Sequence, residues 1–177
     1  MIERDPRPVF EKLRSHVLPA VEGYWRADVV VATFLDSFLS APPGGVPHPS
    51  CGGSALSSLF GERTAERVLG GYGHPWTNRR TMENALRKLG VSFEKRKGGF
   101  PGQGLALIQW EGDWISRDYR GSSLAHTHWV AVVERFVFDV NWPSWLPLHC
   151  WEELVAQNLI ASRRATGWSV LTSYEIH

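Results

Sequence analysis

Apolar positions in the first half of the chain recur with a helical period. Val9, Phe10, Leu13, Val17, Leu18 and Val21 predict a helix over 8–22, interrupted at Pro19. Val31, Phe34, Leu35 and Phe38 fall at i, i+3, i+4 and i+7 and predict a second helix over 27–40. It stops at Ala41-Pro42-Pro43-Gly44-Gly45. The period resumes after Cys51 with Ala55, Leu56, Leu59 and Phe60, breaks at Gly61, and continues through Ala65, Val68 and Leu69. A turn-rich stretch, Gly70 to Pro75, follows. Thr77 is the expected N-cap of the next helix, which carries Met82, Ala85, Leu86 and Leu89 and closes on Gly90.

The second half changes period. Val91–Glu94 and Leu105–Trp110 predict strands, and His128–Val133 and Phe136–Asn141 flank a short polar connection at Glu134-Arg135. β-branched and aromatic residues on both sides make this the best hairpin in the sequence. A helix over 151–160, with Leu154, Val155 and Leu159 inward, and a strand over 167–176 complete the pattern. Helices followed by antiparallel strands predict an α+β arrangement, with residues 1–177 as a single domain.

Composition narrows the function classes. With 43% hydrophobic residues, 21% charged residues and a net charge of +1, the chain has enough apolar surface for a core and no bulk field to hold nucleic acid. No apolar run approaches the roughly 20 residues of a membrane span. The start, Met1-Ile2-Glu3-Arg4-Asp5-Pro6, lacks a basic n-region and apolar h-region, so a cytoplasmic location is expected. Delivery by a secretion system, or incorporation in a larger particle, leaves no mark in these residues. Two cysteines in that setting are read as thiols. Five of the nine tryptophans lie between Trp110 and Trp145, which predicts either an indole-rich core or an aromatic-walled cleft.

Three chemical features belong together. Cys51 stands where a Pro/Gly loop enters a helix, in Ser50-Cys51-Gly52-Gly53-Ser54-Ala55-Leu56. The helix dipole and unpaired first-turn amides favour thiolate there, and the Cys51 amide can donate to a developing oxyanion. Gly52 and Gly53 are expected to clear the approach of a substrate. His128 opens the first hairpin strand and can act as base and then acid. On the return strand, a turn centred on Glu134-Arg135 places Asn141 opposite His128 and Asp139 one diagonal away on the same face. Either could fix the imidazole tautomer.

Cys51-Gly52-Gly53-Ser54-Ala55-Leu56 opening a helix, His128-Trp129-Val130-Ala131-Val132, and Val137-Phe138-Asp139-Val140-Asn141 together resemble the papain-like cysteine peptidase superfamily. The likeness is to its compact bacterial branches, the peptidases that trim bacteriocin leader peptides and related effector proteases. It spans Cys51 to about Asn141, roughly half of the chain. It implies a papain-like fold, with an N-terminal helical lobe headed by the nucleophile helix packed on an antiparallel sheet. By that resemblance Cys51 is the nucleophile, His128 the general base and acid, and Asp139 the orienting residue. No cofactor is implied, and the partner is a protein or peptide substrate; oligomeric state is not legible. Cell-wall peptides and glutamine side chains are amides within reach of the same triad, so peptidoglycan amidase and glutamine deamidase activities stay open.

The sequence departs from the family at one place. Papain-like peptidases carry a Gln a few residues before the nucleophile, whereas Gly45-Val46-Pro47-His48-Pro49-Ser50 has none. The second oxyanion donor is therefore open among His48, Gln109 and a backbone amide. The cleft is expected to be walled by Trp129, with Trp110, Trp114 and Trp142 as further candidates. A metal site using His126, His128, His149 and Cys150 lacks any paired ligand motif, so none is expected. The serines near Gly52-Gly53 and Gly121 form no nucleophile elbow, and Gly98–Gly104 lacks the Lys-Ser/Thr of a phosphate loop. Arg79-Arg80 and Lys95-Arg96-Lys97 read as solvated clusters or an acidic-partner contact. The rival of another class is a papain-like scaffold that has lost catalysis and only binds.

Overall fold

Ser50 starts the helix that organises the site. Its extended backbone (φ −124°, ψ 142°) turns the chain, and its hydroxyl accepts from the Gly53 amide at 3.1 Å, capping α1, Cys51–Phe60. A computed structural model of the chain describes residues 18–20, 22, 31, 35, 50–70, 77–113 and 126–177. Within it Leu18–Ala20 is helical, and Val31 and Leu35 are helical and buried. The rest of the two predicted N-terminal helices lies outside the described residues.

Gly61, at φ 81°, ends α1 where the apolar pattern broke, and α2, Glu62–Leu69, follows. The next helix, α3, Arg79–Leu89, is capped by Asn78 and not by Thr77: Asn78 Oδ1 accepts from the Thr81 amide at 2.9 Å. Gly90 closes it in the left-handed conformation, as its position predicted.

The strands are β1 (Phe93–Arg96), β2 (Gln103–Glu111), β3 (Thr127–Val133), β4 (Phe136–Phe138), β5 (Leu146–Pro147) and β6 (Gly167–Ile176). They form one sheet in the order β1-β6-β2-β3-β4-β5, antiparallel throughout. Between β5 and β6 the chain forms α4 (Leu148–Trp151), a π turn (Glu152–Ala156) and α5 (Gln157–Arg163). This is an α+β architecture.

Both faces of the sheet are covered, which explains why β2 and β3 read as unbroken apolar runs. Leu105, Leu107, Trp129, Ala131 and Tyr174 pack under α1, α2 and α3, while Ala106, Ile108, Val130 and Val132 pack under Trp151, Val155 and Ala156. The hairpin register is the expected one: Ala131 pairs with Phe138, Val132 with Val137 and Val133 with Phe136. Glu134 turns the chain at φ 54°.

Two further expectations about elements need correction. The return strand ends at Phe138, so Asp139 and Asn141 sit in the turn beyond it. The C-terminal helix begins at Leu148, and its π turn inserts an extra residue per turn that rotates the face; Leu154 consequently points outward at 41% exposure. No helix among the described residues is long and apolar enough to cross a membrane.

Candidate active site

Cys51 is the first residue of α1, half-buried against the open edge of β3. β4 covers β3 only from Ala131 to Val133, which leaves the earlier edge unpaired on that side. The Trp129 amide uses this opening to donate to Cys51 Sγ at 3.5 Å, and the Gly52 amide donates to the same sulfur. Gly52 has a different role from the one expected. A Cβ there would overlap the Thr77 side chain, so the missing side chain makes room for Thr77 and not for a substrate. Thr77 in turn locks the helix to the sheet: its carbonyl accepts from Trp129 Nε1 at 2.6 Å, and its hydroxyl lies 3.4 Å from that of Ser50.

His128 is almost fully buried at the start of β3, with Trp110 stacked beside it at a centroid separation of 6.1 Å. Its Nε2–H donates to Asp139 Oδ1 at 2.9 Å, and the ring is also hydrogen-bonded to Cys51. With Nε2 committed to the carboxylate, Nδ1 is the nitrogen left to serve the thiol. Asn141, the alternative orienting residue, does not take Asp139's place. Its amide nitrogen is 3.5 Å from His128 Nε2 but donates to Asp139 Oδ1 at 2.8 Å, and its backbone N–H donates to the same oxygen at 2.9 Å. Asn141 therefore braces the carboxylate.

The other carboxylate oxygen is held by a residue the sequence did not single out. Trp151 Nε1 donates to Asp139 Oδ2 at 2.8 Å from α4 on the far side of the sheet. The usable signal was chemical: a buried indole N–H favours an acceptor, and a buried carboxylate is a strong one.

Electrostatics couple the three side chains. Burial by itself pushes the Cys51 thiol up, but the hydrogen bond and charge of His128, with the Trp129 and Gly52 amides, bring it below its ordinary value. Burial likewise opposes a charged His128, yet the Asp139 carboxylate and the Cys51 sulfur raise its pKa to about 9. Asp139 is pulled below the usual carboxylate range against its own burial by His128, the Asn141 amide and Trp151. The arrangement thus favours thiolate, imidazolium and carboxylate together.

The remaining candidates are placed elsewhere. Gln109 spends its side-chain amide on the carbonyls of Trp110 (2.9 Å) and His126 (3.0 Å), tying strand ends, so it is no oxyanion donor. Trp129 is a core residue with its ring N–H bonded to Thr77, and Trp110 is fully buried, so neither walls a cleft. Trp142 packs half-buried against the apolar cluster on the far face of the sheet. His48 and Trp114 lie outside the described residues. Both cysteines are free thiols, and among the described residues no three His, Cys, Asp or Glu side chains are grouped to hold a metal. Comparison of the chain with family models, with curated proteins and with solved structures finds no match in any of the three.

Proposed function

We propose that the protein is a papain-like cysteine hydrolase that cleaves a peptide or other amide bond through Cys51, His128 and Asp139. One observation carries the reading. A cysteine at a helix N-terminus shares a hydrogen bond with a buried histidine whose other nitrogen is held by a buried carboxylate. A structural thiol has no need of that chain of partners, and a binding surface has no need of a carboxylate with four donors. The helix-on-antiparallel-sheet arrangement that brings these groups together is the one the papain-like resemblance implies.

The steps balance without a cofactor. The Cys51 thiolate attacks the carbonyl carbon, and the Cys51 backbone N–H, in the first turn of α1 and without an intrahelical acceptor, donates to the oxyanion. The C–N bond breaks as His128 Nδ1 gives its proton to the leaving amine, which leaves a thioester. Water then loses a proton to Nδ1 and attacks the thioester, releasing the acid and restoring the thiolate. Asp139 keeps Nε2–H bonded throughout and stabilises the imidazolium.

The test is exposure of a proteome-derived peptide mixture to the protein, with new N-termini counted by mass spectrometry. Wild type is expected to generate new termini, and Cys51→Ala or His128→Ala to lower the rate on the order of 10⁴-fold or more. No new termini with wild type, or termini that persist with Cys51→Ala, would contradict peptide-bond cleavage. Ammonia release from glutamine peptides, or scission of muropeptides, would assign the same machinery to another amide.

A further inference from the structure

We infer that Trp151 is a positioning residue of the reaction: its ring N–H, reaching Asp139 from α4, fixes the plane of the carboxylate and through it the imidazole of His128. The inference rests on the thiol-hydrolase reading and adds a fourth side chain to it. Asp139 Oδ1 already has three donors, His128 Nε2 at 2.9 Å, the Asn141 backbone amide at 2.9 Å and Asn141 Nδ2 at 2.8 Å. Oδ2 has one among the described residues, Trp151 Nε1 at 2.8 Å. A carboxylate held at one oxygen can pivot about it, whereas one held at both cannot. The Asp139 side chain has no solvent exposure, so bulk water does not supply a second donor in place of the indole.

The helix is built to aim this ring. Trp151 is the last residue of α4, and the π turn starts at the next, where the Gln157 amide donates to the Glu152 carbonyl five residues back. In an unbroken α-helix Ala156 would stand about 140° around the axis from Trp151. The wider π turn brings Val155 and Ala156 onto the sheet-facing side together with Trp151, and all three are buried in one apolar cluster. The distortion lets the helix pack on the sheet without turning Trp151 away from Asp139. Phe100 and Trp168 meet the indole edge to face at 6.0 and 5.3 Å, which fixes its plane. A position that needed only apolar bulk would not require an indole, because a buried ring N–H adds a group that must find an acceptor. Here that acceptor is the residue that orients the base.

The test separates the thiolate from the aim of the base. p-Nitrophenyl acetate acetylates the Cys51 thiolate and releases p-nitrophenolate, a leaving group that needs no proton. Hydrolysis of the acetyl thioester then needs water that loses its proton to His128 Nδ1, releasing acetic acid and restoring the thiolate. Decay of the acetyl-enzyme is followed by intact mass, beside iodoacetamide alkylation of Cys51, which reads the thiolate alone. In Trp151→Phe deacetylation is expected to slow about tenfold or more, as misplaced groups do. Alkylation is expected to stay within about twofold of wild type, because the charges of His128 and Asp139 remain. Val132→Ala loosens the same apolar cluster and leaves every donor to Asp139 in place, so it is expected to lower Tm without changing the ratio of the two rates. A shape-matched variant carries 3-benzothienylalanine at 151, with sulfur in place of the ring N–H. It is made by joining residues 1–149 as a thioester to a synthetic peptide that begins at Cys150, and is compared with the same ligation carrying Trp. The same slowing is expected there. Deacetylation within about twofold of the Trp ligation in that variant, or an equal slowing in Val132→Ala, would overturn the positioning role while iodoacetamide still reads a His128-dependent thiolate. An iodoacetamide rate indifferent to His128→Ala would overturn the hydrolase reading and the role of Trp151 with it.

Discussion

Asp139→Ala is expected to unfold the protein at a markedly lower temperature and to abolish the reactivity of Cys51. The carboxylate is 1% exposed and accepts from His128, from Asn141 twice and from Trp151. Removing it leaves a buried imidazole and an indole N–H without acceptors. Breaking a buried ionic partnership costs about 3–5 kcal/mol, which for a chain of this size corresponds to a Tm lower on the order of 10 °C. Asp139→Asn is expected to be only partly milder. One end of the amide is NH₂, so either Trp151 or the His128–Asn141 cluster meets a donor where it needs an acceptor. The pH dependence fixes the sign. Asp139 is depressed in the fold, so its contribution is present above about pH 3.9 and is lost as pH falls through the folded value. His128 is raised, so its contribution is complete below about pH 6.5 and is lost as pH climbs through about 9. Thermal denaturation between pH 3 and pH 10 checks this: both limbs present in wild type flatten in Asp139→Ala. An unchanged Tm and unchanged limbs would contradict it.

Gly52→Ala is expected to damage stability and thiol reactivity together, before any substrate is present. The new methyl group would overlap Thr77, and overpacking of this kind costs about 1–3 kcal/mol. Thr77 cannot retreat freely, since its carbonyl holds the Trp129 ring. The strain therefore falls on the junction between α1 and β3, where the Trp129 amide meets Cys51 Sγ. Iodoacetamide labelling of Cys51 is expected to slow at least tenfold, and Gly52→Ala/Thr77→Gly to recover part of both losses. If the glycine served only to admit a substrate, Tm and labelling would stay at wild-type values and peptide turnover alone would fall.

The parts of this site that depend on local pattern were legible in the chain. A Pro/Gly loop running through Ser50 into Cys51, with Ala55-Leu56 following, announces a helix start at Cys51, and the structure has it. The two-residue connection at Glu134-Arg135 set the hairpin register, because loop length fixes which residues of the two strands of a hairpin face each other. That register brought His128 and Asp139 to the same place. What was not legible depends on contacts between distant segments. The early end of β4 at Phe138 opens the β3 edge to Cys51, and nothing in the pattern of residues 136–141 marks where pairing stops. Trp151 reaches Asp139 from an element on the far face of the sheet, and Gly52 is dictated by Thr77, 25 residues away in the chain. Gln109 has the side-chain chemistry of an oxyanion donor, but two carbonyls at the strand ends claim it first. Asn78 and Thr77 are both good caps in sequence; Thr77 is drawn into the interface with α1, and Asn78 is left to close α3.

The most direct measurement is the rate of Cys51 alkylation by iodoacetamide from pH 5 to pH 10, in wild type and in His128→Ala, resolved by peptide mass so that Cys150 is read alongside. The account predicts rapid labelling of Cys51 well below pH 8 in wild type, because the hydrogen bond and charge of His128 lower the thiol below its ordinary value. In His128→Ala burial is left unopposed by that charge, and labelling is expected only above about pH 8.5, where an ordinary thiol ionises. A Cys51 that labels only above that pH in both proteins would contradict the thiolate–imidazolium pair and the hydrolase built on it.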